Sequence, residues 1–103
     1  MSNAKEEFLN HTEGKPRVKC AIIDNKDWDD KSKVRAELKN GYSDKDLELF
    51  LALINFRYDS GYGGQELYGT IWYEDGTWSN RGEYDGSEWW EYQSMPEIPE
   101  ALA

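Results

Sequence analysis

Residues 69–93 read GTIWYEDGTWSNRGEYDGSEWWEYQ, and the way this stretch divides into strands decides the fold. It holds four of the chain's five tryptophans, with six carboxylates and a single arginine. Asp75-Gly76 and Asp85-Gly86 are two-residue hairpin signals, because Asp and Gly tolerate the positive φ that a type I′ turn requires. They cut the segment into strands near 66–74, 77–84 and 88–92, an antiparallel meander. A two-residue loop at 75–76 sets Tyr73 opposite Trp78 and Ile71 opposite Asn80. The second hairpin, read the same way, sets Trp89 beside Gly82, Arg81 beside Trp90 and Glu83 beside Glu88. A glycine under an indole leaves room for the ring to lie across the sheet.

This register sorts the side chains onto two faces. Tyr73, Trp78, Tyr84 and Trp89 are expected to form the core, so Trp89→Ala should cost several kcal/mol and Trp90→Ala little. The opposite face carries Tyr68, Thr70, Trp72, Ser79, Arg81, Trp90 and Tyr92, with Arg81 within cation–π reach of Trp90. Left open, that face is a binding surface of aromatics ringed by carboxylates. Covered by the N-terminal elements, the same residues become core.

Upstream, Ser43 and Asp46 form a capping pair, and Leu47, Phe50, Leu51 and Ile54 follow at helical spacing, which predicts a helix over 44–54. RVKCAII (17–23) and KVRAELK (33–39) alternate apolar and charged residues, so they read as strands pairing across the polar loop DNKDWDDKS (24–32). Residues 2–10 make a short helix capped by Ser2 or Asn3, HTEGKP breaks it, and YDSGYGG (58–64) ends regular structure. The expectation is one α+β domain over 1–103. An antiparallel sheet, made of an N-terminal hairpin and a C-terminal three-stranded meander, packs against the helix near 44–54. Residues 1–16 are a short helix and linker, and 97–103 a flexible tail.

The formal net charge is −9, and it is not evenly spread. Residues 1–58 hold eleven acids and eleven bases, whereas 59–103 hold ten acids against Arg81 alone. Such a field repels nucleic acid and anionic membranes and attracts basic surfaces. One cysteine, Cys20, excludes an intrachain disulfide, and no apolar run has the length of a signal or a membrane span. A cytoplasmic protein is expected.

Catalytic motifs are sparse. His11 is the only histidine, on a segment expected to be flexible, and Cys20 on its alternating strand reads as a small apolar side chain. Glu74, Glu83, Glu88 and Glu91 offer carboxylate pairs, but chance supplies such pairs in so acidic a chain. DNKDWDD lacks the ligand spacing, glycine and final Glu of a calcium loop, and GYGG has no following Lys to hold phosphate. The reading is a non-enzymatic protein without metal or cofactor.

The pieces DGTW, RGEYDG and EWW, within YDSGYGGQELYGTIWYEDGTWSNRGEYDGSEWWEYQSMPEIP, resemble the closing segment of small acidic proteins of bacteriophages and their bacterial hosts. The resemblance covers somewhat under half of the chain. It implies a phage or bacterial source and brings no catalytic residues.

Charge and aromatics together point to an acidic protein-binding module that occludes a basic surface, as inhibitors, immunity proteins and nucleic-acid mimics do. Its site would be Trp72, Arg81, Glu83, Glu88, Trp90, Glu91 and Tyr92: aromatic anchors within carboxylates that steer toward Lys and Arg. The partner would be a basic protein, such as a nucleic-acid-binding one, with no direct contact to nucleic acid or membrane. The alternatives are a carbohydrate-binding module, in which exposed rings stack on sugars, and a self-associating structural protein.

Overall fold

The Ser43–Asp46 spacing closes a reciprocal cap in the computed structural model, which describes residues 2–25, 34–58, 65–84 and 87–102. Ser43 Oγ accepts from the Asp46 N–H at 3.1 Å, and the Asp46 carboxylate accepts from the Ser43 N–H at 3.0 Å. Two of the donors that a helix start leaves unpaired are thereby satisfied. Helix α2 (Asp44–Leu53) follows, and its stripe of Leu47, Phe50 and Leu51, continued by Ile54, faces the core as the periodicity predicts. Helix α1 (Ala4–Thr12) starts at Asn3, whose side chain accepts from the Glu6 N–H. It buries Ala4 and Phe8, and the Phe8 ring meets Phe50 edge-on at 5.4 Å.

Among the described residues, seven strands complete an α+β fold. Strands β1 (Ser2–Asn3) and β4 (Arg57–Tyr58) form a small antiparallel pair. The main sheet has the order β3-β2-β5-β6-β7 and is antiparallel throughout. Its members are β2 (Val18–Asn25), β3 (Val34–Leu38), β5 (Leu67–Tyr73), β6 (Trp78–Tyr84) and β7 (Ser87–Gln93). The expected N-terminal hairpin and C-terminal meander are both present, joined side by side through β2 and β5. Both helices lie on one side of this sheet. α2 packs over β3 and α1 over β7, and both contribute to one core with the inner residues of β5.

One register differs from expectation. The second hairpin pairs Arg81 with Trp90, Gly82 with Trp89 and Glu83 with Glu88, as read from the sequence. The first pairs Trp72 with Trp78 and Ile71 with Ser79. Its loop contains three residues, not two. Tyr73 N–H donates to the Thr77 carbonyl at 2.9 Å, Gly76 N–H to the Tyr73 carbonyl at 3.2 Å, and Gly76 sits at φ +88°. This is a type I turn followed by a left-handed residue, the usual three-residue hairpin. The Asp75 carboxylate accepts from the Thr77 N–H at 3.0 Å and fixes that choice. A one-residue slip turns every side chain of a strand to the other face. β6 and β7 are accordingly inverted relative to the sequence reading, while β5 is as expected.

The polar loop and calcium-like stretch at 26–33, the glycine run at 59–64 and the second turn at 85–86 lie outside the described residues.

Candidate binding face

The inner face of β6 and β7 is a buried polar seat for α1. The Arg81 side chain is only 2% exposed, and its guanidinium donates to Glu88 Oε1 at 3.3 Å, Glu7 Oε2 at 3.3 Å and the Tyr58 hydroxyl at 2.8 Å. Glu88 in turn accepts from the backbone N–H groups of Glu66 and Leu67, both at 2.9 Å. The Tyr58 hydroxyl donates to Glu7 Oε1 at 2.6 Å. Burial, followed by that bond to Glu7, pushes the Tyr58 phenol well above its usual range. A charge this deep is tolerable only when paired and hydrogen-bonded, and here it has both carboxylates. The Trp90 indole lies 5.0 Å from the Arg81 guanidinium.

His11 completes the seat. Its Nε2 meets Ser79 Oγ at 2.7 Å, Ser79 Oγ meets the Tyr73 hydroxyl at 2.8 Å, and the imidazole stacks on Trp90 at 6.2 Å. Burial, and then the positive charges of Lys15 and Arg81, hold its pKa below 6.5. The sequence reading placed His11 on a flexible segment and saw no partner for it. The partner is a serine 68 positions away that becomes adjacent only when α1 docks. A histidine on a serine invites a catalytic reading, but Ser79 is 0% exposed and its oxygen is shared with Tyr73, so no substrate carbonyl reaches it. The cluster fixes α1 in place.

The outer face is the one left open by the described residues. It presents Cys20, Ile22 and Asp24 from β2, Tyr68, Thr70 and Trp72 from β5, and Trp78, Asn80, Gly82 and Tyr84 from β6. Trp89, Glu91 and Gln93 complete it from β7. Trp72 is 43% exposed and Trp89 38%, with Tyr68 and Tyr84 also exposed. Trp89 lies across Gly82, where an added Cβ would come within 2.6 Å of its Nε1. That Nε1–H donates to Glu91 Oε1 at 2.9 Å. The expected ring over glycine thus exists, on the solvent side. A second occurs on the inner face, where Trp90 Cη2 lies 3.2 Å from a Cβ placed on Gly69.

The seven residues expected to form the site therefore divide. Trp72 and Glu91 are on the outer face. Arg81, Glu88 and Trp90 are on the inner face and buried, which corrects the expectation that they surround an open patch. Glu83 and Tyr92 share the inner side of their strands but stay exposed toward the ends, with the Tyr92 hydroxyl donating to Thr77 Oγ1 at 2.9 Å. The α1 helix over β6–β7 is the physical reason. In exchange the outer face gains Trp78, Tyr84 and Trp89, which the sequence assigned to the core.

Among the described residues, no group of three or more His, Cys, Asp or Glu is arranged to hold a metal ion, and no helix is long and apolar enough to cross a membrane. No family model, curated protein or solved structure matches the chain.

Proposed function

We propose that the chain is an acidic protein-binding module that works by occupancy, covering a basic surface of a partner with the outer face of its sheet. The observation that carries this reading is the exposure of Trp72, Trp89, Tyr68 and Tyr84 on one open sheet face, in a chain of net charge −9. Contiguous exposed aromatics are what a monomer's surface avoids unless it binds something. Trp and Tyr anchors bring large contact area at low entropic cost, and Asp24, Glu37 and Glu91 add carboxylates that steer a basic partner. A phage or bacterial inhibitor, or a nucleic-acid mimic acting in the cytoplasm, is the setting this chemistry fits. A second reading has its own support: Trp89 across Gly82, with Glu91 beside it, is a stacking platform next to an acceptor, as a sugar would need.

The test is capture from a bacterial lysate on immobilised wild type, on Trp72→Ala plus Glu91→Lys, and on Glu48→Lys from the exposed side of α2 as control. The proposal expects a basic protein retained by wild type and control, lost in the double variant, and released by moderate salt. Retention unaffected by the double variant overturns it. Glycan binding that ignores salt but is lost in Trp89→Ala selects the second reading.

A further inference from the structure

One corner of the outer face carries a lysine. Lys19 lies at the start of β2, where Val18 pairs with Tyr73 and the Arg17 carbonyl accepts from the Glu74 N–H at 2.8 Å. Its cationic neighbours turn elsewhere: Lys15 Nζ lies 5.2 Å from the ring of Tyr92 on the inner side of β7, and the Arg17 guanidinium 5.5 Å from the Tyr42 ring. Beside Lys19 runs a groove of about 250 Å³ formed by Lys19, Cys20, Trp72, Tyr73, Gly76 and Thr77.

The chain leaves the sheet close to this groove. β7 ends at Gln93, which pairs with Trp78, and Trp78 pairs with Trp72. At the usual strand spacing Trp72 lies about 10 Å from that exit. The departing segment, Ser94-Met95-Pro96-Glu97-Ile98-Pro99-Glu100-Ala101-Leu102, repeats an apolar–Pro–Glu triplet. A polyproline II chain has about 3 residues per turn, and the 3-10 turn at Glu100–Leu102 keeps the same period. In polyproline II form Met95 and Ile98 share one stripe, Pro96 and Pro99 a second, and Glu97 and Glu100 a third. All nine residues are exposed, including the large apolar Met95, Ile98 and Leu102. Ser94–Pro99 spans about 19 Å in polyproline II form, enough to cross Trp78 and Trp72 and arrive at Lys19. The two prolines also reduce the entropy lost on ordering.

We propose that this segment is a strap poised to close on the chain's own sheet. Met95 and Ile98 pack on Trp78 and Trp72, while Glu97 and Glu100 approach Lys19. Lys19 is the cation the strap can reach on this face, because Arg35 is already engaged by Asp24 and Glu37. A regulatory consequence follows, and it alone rests on the reading of the preceding subsection. A closed strap covers the Trp72 end of the binding face, so a basic partner has to displace it.

Met95 is one of only two methionines, so ¹³C-methyl methionine labelling reports on the strap directly. The expected result is an upfield ring-current displacement of the Met95 methyl, with cross-relaxation to indole protons, both independent of protein concentration. The displacement should vanish in Trp72→Ala and shrink in Lys19→Glu and at high salt. A methyl at the free-chain position that Trp72→Ala does not move overturns the strap. Cross-peaks that fade on dilution overturn it too, by assigning the contact to a second copy. Lysate capture with a chain ending at Gln93 separates the two claims. More basic protein retained by the shortened chain supports regulation, and unchanged retention refutes regulation while the methyl shift still decides the strap. No retention by either chain, with the methyl displaced, removes the binding reading and leaves the strap.

Discussion

Trp89 and Trp90 are neighbours in sequence and opposites in environment, and truncating each to alanine should separate their roles. Trp90 is 8% exposed, lying over Gly69 and between Arg81 and His11. A buried tryptophan removes roughly 200 Å² from water, which at about 25 cal/mol per Å² is worth some 5 kcal/mol as an upper bound. Its cation–π contact adds about 1 kcal/mol. Its Nε1–H is buried without an acceptor, and removing that group returns roughly 1–2 kcal/mol. Trp90→Ala should therefore cost about 3–5 kcal/mol. Trp89 rests on one surface only and faces solvent on the other, so water refills its place without leaving a cavity. Trp89→Ala should cost about 1–2 kcal/mol. Urea unfolding followed by far-UV circular dichroism is the assay, because removing an indole would distort a fluorescence signal. Equal m-values confirm that the midpoints report stability. A loss in Trp89→Ala equal to or larger than that in Trp90→Ala would refute the face assignment, and with it the binding face proposed above.

Three further outcomes follow from the same geometry. Because the folded pKa of His11 lies below 6.5, the unfolded chain binds the proton first as pH falls. Stability should thus decline from about pH 7.5 through 6.5 and level off once the folded imidazole is also charged; His11→Gln should flatten this slope in urea midpoints taken between about pH 5.5 and 7.5. Gly69→Ala should cost several kcal/mol, since an added Cβ meets the Ile22 backbone carbonyl oxygen, whereas Gly82→Ala meets the movable Trp89 ring and should cost about 1 kcal/mol while making that indole more accessible to acrylamide. Glu88→Gln should lose about 3 kcal/mol, because it uncouples Arg81 and sets an amide N–H₂ against a backbone donor, whereas Glu91→Gln on the outer face should change the denaturation midpoint very little.

Local signals in the sequence were sufficient wherever the structure is locally determined. The Ser43 cap, the Leu47–Ile54 stripe, the β2–β3 hairpin and the β6–β7 register each depend on residues within a few positions of one another, and each is found as read. The Asp75-Gly76 dipeptide was ambiguous because it serves two turns. It occupies both central positions of a two-residue loop, or it supplies the Asp side chain and the left-handed Gly of a three-residue one. The Asp75 bond to the Thr77 N–H belongs to the second, and the single-residue difference inverted β6 and β7. The α1 seat was illegible for another reason. Glu7 and His11 find Arg81 and Ser79 across 74 and 68 positions, and nothing in either segment announces the other.

That separation also has a consequence for how the protein is made. The ribosome synthesises α1 before β6 and β7, and a helix of 9 residues is too short to persist unaided in water. Its seat is built from β6 and β7 near the other end of the chain. During translation Glu7 and His11 have to wait for their partners until β6 and β7 have emerged. The seat therefore closes only after the later of these two strands has arrived. A product that stops short of β7 carries an unseated helix and an unfinished sheet, the state in which proteases find a chain easiest to clear.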